Sequence, residues 1–224
     1  MALVTLKEIL AGTRAGHYAV GGFNFNGYED AQGIINGAVA KNSPVILMAS
    51  MGAVKYIGLH QVAGMVKGMA ESVDIPVCLH LDHATDYDLI KEAIKCGFTS
   101  VMVDASAKSY EDNIADSKMI VDFAKQYGCS VEAELGKVGG KEENIVVEDA
   151  SAAFTDPDDV PRFVSETGID ALAVAIGTVH GFYKSRSWIS RDCRRSLRLQ
   201  IARWYCMEVL VFQLKISRNV CRWV

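Results

Sequence analysis

The sequence predicts an α/β fold, specifically a (β/α)8 barrel of which about six strand–helix units are in frame. Three observations lead there. Short apolar runs rich in Val, Leu and Ile recur through the first 185 residues, each suited to a strand buried on both faces. Amphipathic stretches separate them, giving start-to-start spacings of roughly 25 to 40 residues, the rhythm of right-handed βαβ units. Polar residues close nearly every run, and barrels gather their functional groups at that end of their strands.

The first run, Tyr18 to Asn24 (YAVGGFN), ends on Asn24. The sequence around it, GGFNFNG, does not match the G-x-G-x-x-G fingerprint of a doubly wound sheet, which favours the barrel. Ile34, Ile35, Ala38 and Val39 then repeat at helical spacing. The second run, Pro44 to Ser50, ends on Ser50, and the third, Pro76 to His83, ends in His80-Leu81-Asp82-His83. Alternation puts His80 and Asp82 on one face, with His83 beginning the turn at the rim. The fourth run, Ser100 to Ser106, carries Asp104, which suits a turn or N-cap as well as a functional site. A helical pattern follows in Ile114, Met119, Ile120, Phe123 and Ala124. The fifth run, Cys129 to Gly136, points Glu132 and Glu134 the same way, a costly arrangement unless they meet a cation, a partner or water. Glu134 lies nearer the strand end and suits a metal; Glu132 suits a Lys or Arg partner. The glycine-rich stretch Gly136 to Asn144, with Glu142 and Glu143, reads either as a mobile lid or as a solvated acidic loop. The sixth run, Ala171 to Gly177, leads into His180 and Gly181, where glycine lets a ligand approach the backbone closely.

Any one strand-end Asp or His is commonly a turn residue. Two rim histidines on different strands, several rim carboxylates and no cofactor fingerprint together suggest metal-assisted chemistry on a polar small molecule. The residues alone leave lyase, isomerase and hydrolase open. The longest apolar run of the body, Ala171 to Val179, falls far short of the roughly 20 residues that span a bilayer, and the N-terminus MALVTLKEIL has no secretory pattern. Cys78, Cys96 and Cys129 are isolated in sequence and read as small hydrophobes in a reducing compartment.

With YAVGGFNFN, SPVILMAS, LHLDH, VMVDAS, SVEAELGKVGGKEEN, FTDP and AIGTVHGFYK in this order, the body from Met1 to about Ser185 resembles the class II, zinc-dependent ketose-bisphosphate aldolases. The resemblance implies a (β/α)8 barrel and a cytoplasmic lyase, homo-oligomeric when its frame is intact. It would cleave fructose 1,6-bisphosphate, or as an alternative tagatose 1,6-bisphosphate, into dihydroxyacetone phosphate and glyceraldehyde 3-phosphate. It implies Zn2+ as cofactor, with room for a monovalent cation. Asp82 would handle the hydroxyl proton at the cleaved bond, and Glu142 the proton on the triose carbon. His83 and His180 would be two of three zinc imidazoles, and Asp104 and Glu134 would serve an alternative metal position. Asn24, Ser50 and Gly181 would contact substrate.

The remainder, residues 186 to 224, has a different vocabulary. It holds 9 basic against 2 acidic residues, with no Gly or Pro, whereas the body holds 14 basic against 25 acidic. The third zinc histidine, in an LHGGSG-like motif, and the Asn-Val-Asn-Thr-like motif implied by the resemblance do not follow Ser185. Read one base back, the codons of Arg203 to Val209 permit Leu-Val-Leu-His-Gly-Gly, and those of Ser187 to Cys193 permit Leu-Asp-Phe-Glu-Arg-Leu, which many relatives carry before the seventh strand. We therefore expect residues 1–185 to be an incomplete barrel and 186–224 a frameshifted tail, which leaves the activity of the literal chain in doubt. A basic nucleic-acid arm or a membrane-surface helix is the rival reading of the tail, supported by composition alone. Neither nucleic acid nor membrane is an expected partner.

Overall fold

The computed structural model describes residues 3–137, 139–142, 145–147, 154–175, 179–180 and 204–205, with side chains for 3–137 and 154–175. Six parallel strands lie side by side in chain order: β1 (Gly21–Asn24), β2 (Val45–Ser50), β3 (Val77–Ala84), β4 (Ser100–Val103), β5 (Ser130–Leu135) and β8 (Ala171–Val174). Each falls inside one of the apolar runs. They form a curled half-barrel, crossed on its outer face by α3 (Tyr28–Ala40), α4 (Met51–Ile57), α5 (Leu59–Glu71), α6 (Tyr87–Cys96), α7 (Tyr110–Ala124) and α8 (Val160–Thr167). A two-residue strand, β10 (Trp204–Tyr205), pairs in parallel with β8, Trp204 opposite Leu172. The sequence reading places no barrel strand beyond Ser185, so this pairing is an addition to it.

Strand alternation separates two cores. Val45, Leu47, Val77, Leu79, Leu81, Val101, Val103, Val131, Ala133 and Leu172 belong to the layer shared with the helices. The opposite parity supplies an inner cluster of Ile46, Met48, Cys78 and Ala171, joined by Leu6, Ile9, Leu10 and Val20. Leu6 and Ile9 come from α1 (Leu6–Ile9), a single turn held by a capping box between Thr5 and Glu8. The inner face is thus apolar at the strand starts, and further along β3 and β5 it turns to His80 and Asp82, then Glu132 and Glu134.

Sequence fixes where the helices stop. Asp86 caps α6 by accepting from the Asp88 and Leu89 amides, and α6 ends at Gly97, whose φ of 102° would strain any side-chain-bearing residue. α3 buries Ala31 and Ile35 but leaves Val39 46 % exposed, and α7 buries Ile114, Ile120 and Ala124 but leaves Met119 40 % exposed. Val39 and Met119 therefore lie off the faces that the sequence pattern assigns them.

Among the described residues, two short strands follow β5. β6 (Gly139–Glu142) and β7 (Ile145–Val147) form an antiparallel hairpin with Glu142 opposite Ile145, and β6 also pairs in parallel with β9 (Val179–His180), Gly140 opposite His180. Among the described residues no helix is long and apolar enough to cross a membrane.

Candidate metal centre

The polar end of the half-barrel brings together residues from the ends of five successive strands, β1 to β5. Parity sends Asp82 inward and would send its neighbour His83 out towards the helices. The β3–β4 register shifts between Leu81 and Ala84, and His83 takes a left-handed φ of 45°. Such an irregularity re-aims a side chain. His83 Nδ1 lies 3.2 Å from Asp104 Oδ2 and 3.7 Å from Glu134 Oε2.

One ligand atom from each of His83, Asp104 and Glu134 falls within 4.8 Å of the others. An imidazole nitrogen and two carboxylates, buried or nearly so, match a divalent ion of the zinc or manganese type in both charge and donor chemistry. Burial by itself raises the Asp104 carboxyl, but the bond and charge of His83 and two bonds from Ser106 outweigh it and hold the group below the ordinary aspartate range. Ser106 donates to Asp104 Oδ1 through its amide at 3.1 Å and its hydroxyl at 2.7 Å. Asp104 is therefore a ligand-ready carboxylate anchored by its own turn.

Asp82 stands on the inner face, 2 % exposed, and accepts a 2.8 Å hydrogen bond from Asn24 Nδ2 at the end of β1. Ser50 is opposite Asp82 in the β2–β3 register, and its hydroxyl caps α4 by accepting from the Ala53 amide at 3.2 Å. Both have structural duties beyond the substrate contact that the resemblance implies.

One turn of the pleat deeper, His80 Nε2 faces Glu132 Oε2 at 3.5 Å, and His80 Nδ1 is 2.8 Å from Ser100 Oγ. Burial lowers the His80 imidazole to about 3, with the charge of His83 adding to the effect, so the ring is neutral. Burial, then the nearby Asp82 charge, raises Glu132 well above the ordinary carboxyl range. Two neutral groups, an acid and an imidazole, are compatible where two ions would be costly. The partner of Glu132 is thus a histidine, not the Lys or Arg that its type suggests.

Among the other expected site residues, Glu142 and His180 are described only as backbone, in β6 and β9, and Gly181 lies outside the described residues. The pairing of Gly140 with His180 brings the Glu142 hairpin and the His180 strand into one small sheet.

Fold and cluster define a parallel α/β half-barrel of the barrel type, with a candidate metal centre at the carboxyl ends of its strands. Comparison with known proteins is specific. The family described as fructose-bisphosphate aldolase class-II matches residues 4–211. A fructose-bisphosphate aldolase of Staphylococcus aureus is 45% identical over 187 residues, covering 82% of this chain and 65% of its own length. One from Geobacillus stearothermophilus is 46% identical over the same share of this chain and 64% of its own. In three dimensions the chain is similar to the YdjI aldolase from Escherichia coli, with a TM-score of 0.84, 31% identity and coverage of 98% of this chain and 78% of that one. It is also similar to a putative fructose-1,6-biphosphate aldolase from Coccidioides immitis, at TM-score 0.85 and 28% identity, covering 98% of this chain and 78% of that one. The chain belongs to the class II fructose-bisphosphate aldolase family. It spans slightly less than two thirds of the length of these curated relatives.

Proposed function

We propose that the rim of this half-barrel is the metal-binding and proton-transfer half of an aldolase site that cleaves fructose 1,6-bisphosphate into dihydroxyacetone phosphate and glyceraldehyde 3-phosphate. The observation that carries the reading is the coexistence, at one end of the sheet, of a fixed carboxylate and a three-residue cluster able to hold a metal ion: Asp82 held by Asn24, beside His83, Asp104 and Glu134.

Aldol cleavage needs a base for the hydroxyl on the fourth carbon, a sink for the electrons of the bond between the third and fourth carbons, and an acid for the third carbon. Asp82 is the base: with one oxygen bound to the Asn24 amide, the carboxylate is oriented before substrate arrives. His83 and His180 would hold Zn2+, with Asp104 and Glu134 serving an alternative metal position; the ion would supply the polarisation of the ketone that makes a Schiff-base lysine unnecessary. Glu142, carried on the β6–β7 hairpin, returns a proton to the third carbon. Gly181, beside His180, offers backbone to the phosphorylated triose, and Ser50 and Asn24 lie on the side of the aldehyde half. A monovalent cation can assist the phosphate.

The same reading makes the protein a cytoplasmic homo-oligomer, in keeping with free Cys78, Cys96 and Cys129. It also takes residues 186–224 as sequence read out of frame, because the third histidine motif is absent from them. The test is a cleavage assay on the 224-residue chain and on one with the frame restored near codon 185, using fructose and tagatose bisphosphates, which differ only at the fourth carbon. Zinc-dependent cleavage of fructose bisphosphate by the restored chain, with little or none by the 224-residue chain, is the expected result. Zinc-independent cleavage would refute the mechanism.

A further inference from the structure

α7 breaks its own pattern. Its inward face carries Asn113 and Ser117, one turn apart and 3 % and 0 % exposed, among Ile114, Ile120, Val121 and Ala124. Neither residue is a good helix former, and a buried amide costs free energy unless its donors and acceptor are used. The amide is used on both sides. Asn113 Nδ2 donates to the backbone carbonyl of Glu134 at 2.8 Å, and Asn113 Oδ1 accepts from Ser117 Oγ at 3.2 Å.

The position of that carbonyl explains the need. The β4–β5 ladder ends at Val103 opposite Ala133, one residue short of Glu134. The next carbonyl of β5, on Leu135, accepts from the hydroxyl of Thr155, which also accepts from the Ala175 amide at 2.8 Å. The last two carbonyls of the strand are thus held by buried side chains from two different segments. The first of these anchors is on Glu134 itself, the residue whose carboxylate lies 3.7 Å from His83 Nδ1.

We propose that Asn113 is a positioning residue for the metal centre: its amide fixes the backbone of Glu134 so that the carboxylate stays within reach of His83 and Asp104, and Ser117 fixes the direction of the amide. The inference rests on the reading of His83, Asp104 and Glu134 as a divalent-metal site. A purely structural clamp would change stability and leave metal affinity alone.

The experiment is isothermal titration of the full 224-residue chain with Zn2+ alone, alongside thermal melts of each apo protein. The variants are Asn113→Leu, which keeps the branched shape but removes both the donor and the acceptor, the milder Ser117→Ala, His83→Ala, and Ile120→Val on the same helix as a stability-matched control. Asn113→Leu is expected to weaken zinc binding about tenfold or more, the usual scale for losing an outer-shell partner. Ser117→Ala should weaken it less, and Ile120→Val should leave affinity within about twofold at a comparable loss of melting temperature. If Asn113→Leu does not fold, the Ser117→Ala affinity decides. Unchanged affinity in the Asn113 and Ser117 variants, or an equal loss in Ile120→Val, overturns the positioning role. Failure of the wild-type chain to bind zinc, or unchanged binding in His83→Ala, overturns the metal-site reading itself and the positioning role with it.

Discussion

Asn24 Nδ2 donates to Asp82 Oδ2 at 2.8 Å across the end of β2, linking the first strand of the half-barrel to the third. The bond makes Asn24 an orienting group for the proposed base. Hydrogen bonds to a charged acceptor contribute about 1.5–3 kcal/mol, so Asn24→Ala should lower kcat of the frame-restored enzyme by roughly 10- to 100-fold. Steady-state kinetics separate the roles. A rise in KM with kcat unchanged would make Asn24 a substrate contact only.

His83 occupies a left-handed conformation at the β3 irregularity. Asn tolerates that region about as well as any side chain other than glycine. His83→Asn should therefore leave the apo protein within about 1 kcal/mol of wild type in urea unfolding while removing zinc binding. A large loss of stability would mean that the imidazole holds the strand end together without metal.

Metal should stabilise the fold. At a hundredfold excess over its dissociation constant, zinc adds about 2.7 kcal/mol, so melting temperature should rise on zinc addition and fall back with chelator. Asp104→Ala should abolish most of that rise, read by differential scanning calorimetry. An undiminished rise would place the ion elsewhere.

The His80–Glu132 pair gives a pH signature. His80 is held neutral, with its folded value lowered from 6.5 to about 3 by burial. The unfolded chain binds the proton first, so stability is lost as pH falls below 6.5, over a window that extends towards 3. Glu132 acts in the opposite sense: burial keeps it protonated, and stability is lost as pH rises above the ordinary value of 4.5. His80→Gln should flatten the acid limb by up to about 1.4 kcal/mol per pH unit between pH 6 and 4, measured by urea titration. An unchanged acid limb would show that His80 is already charged in the fold.

How far the sequence reveals this site depends on whether a residue obeys the period of its element. Leu79 and Leu81 face the helices, and Asp82 and Glu134 the interior, as alternation requires. His83 breaks that period through one backbone angle, which residue type does not disclose. The hairpin in the glycine-rich stretch is equally hidden, because glycines carry no apolar alternation. Asn113 and Ser117 leave a faint trace, two polar residues spaced by four on an otherwise apolar face, but their target lies on another element. The His80–Glu132 contact is invisible for the same reason: it joins strands that are 52 positions apart in the chain and separated in the sheet by β4.

The most direct test of the account is fructose 1,6-bisphosphate cleavage by the frame-restored chain, followed through chelation, zinc return and Asp82→Ala. The account predicts turnover that disappears with chelator, returns with zinc, and falls at least about a thousandfold in Asp82→Ala, the combined loss of an acid–base group and its orientation. Cleavage that survives chelation, or that survives Asp82→Ala, would contradict it.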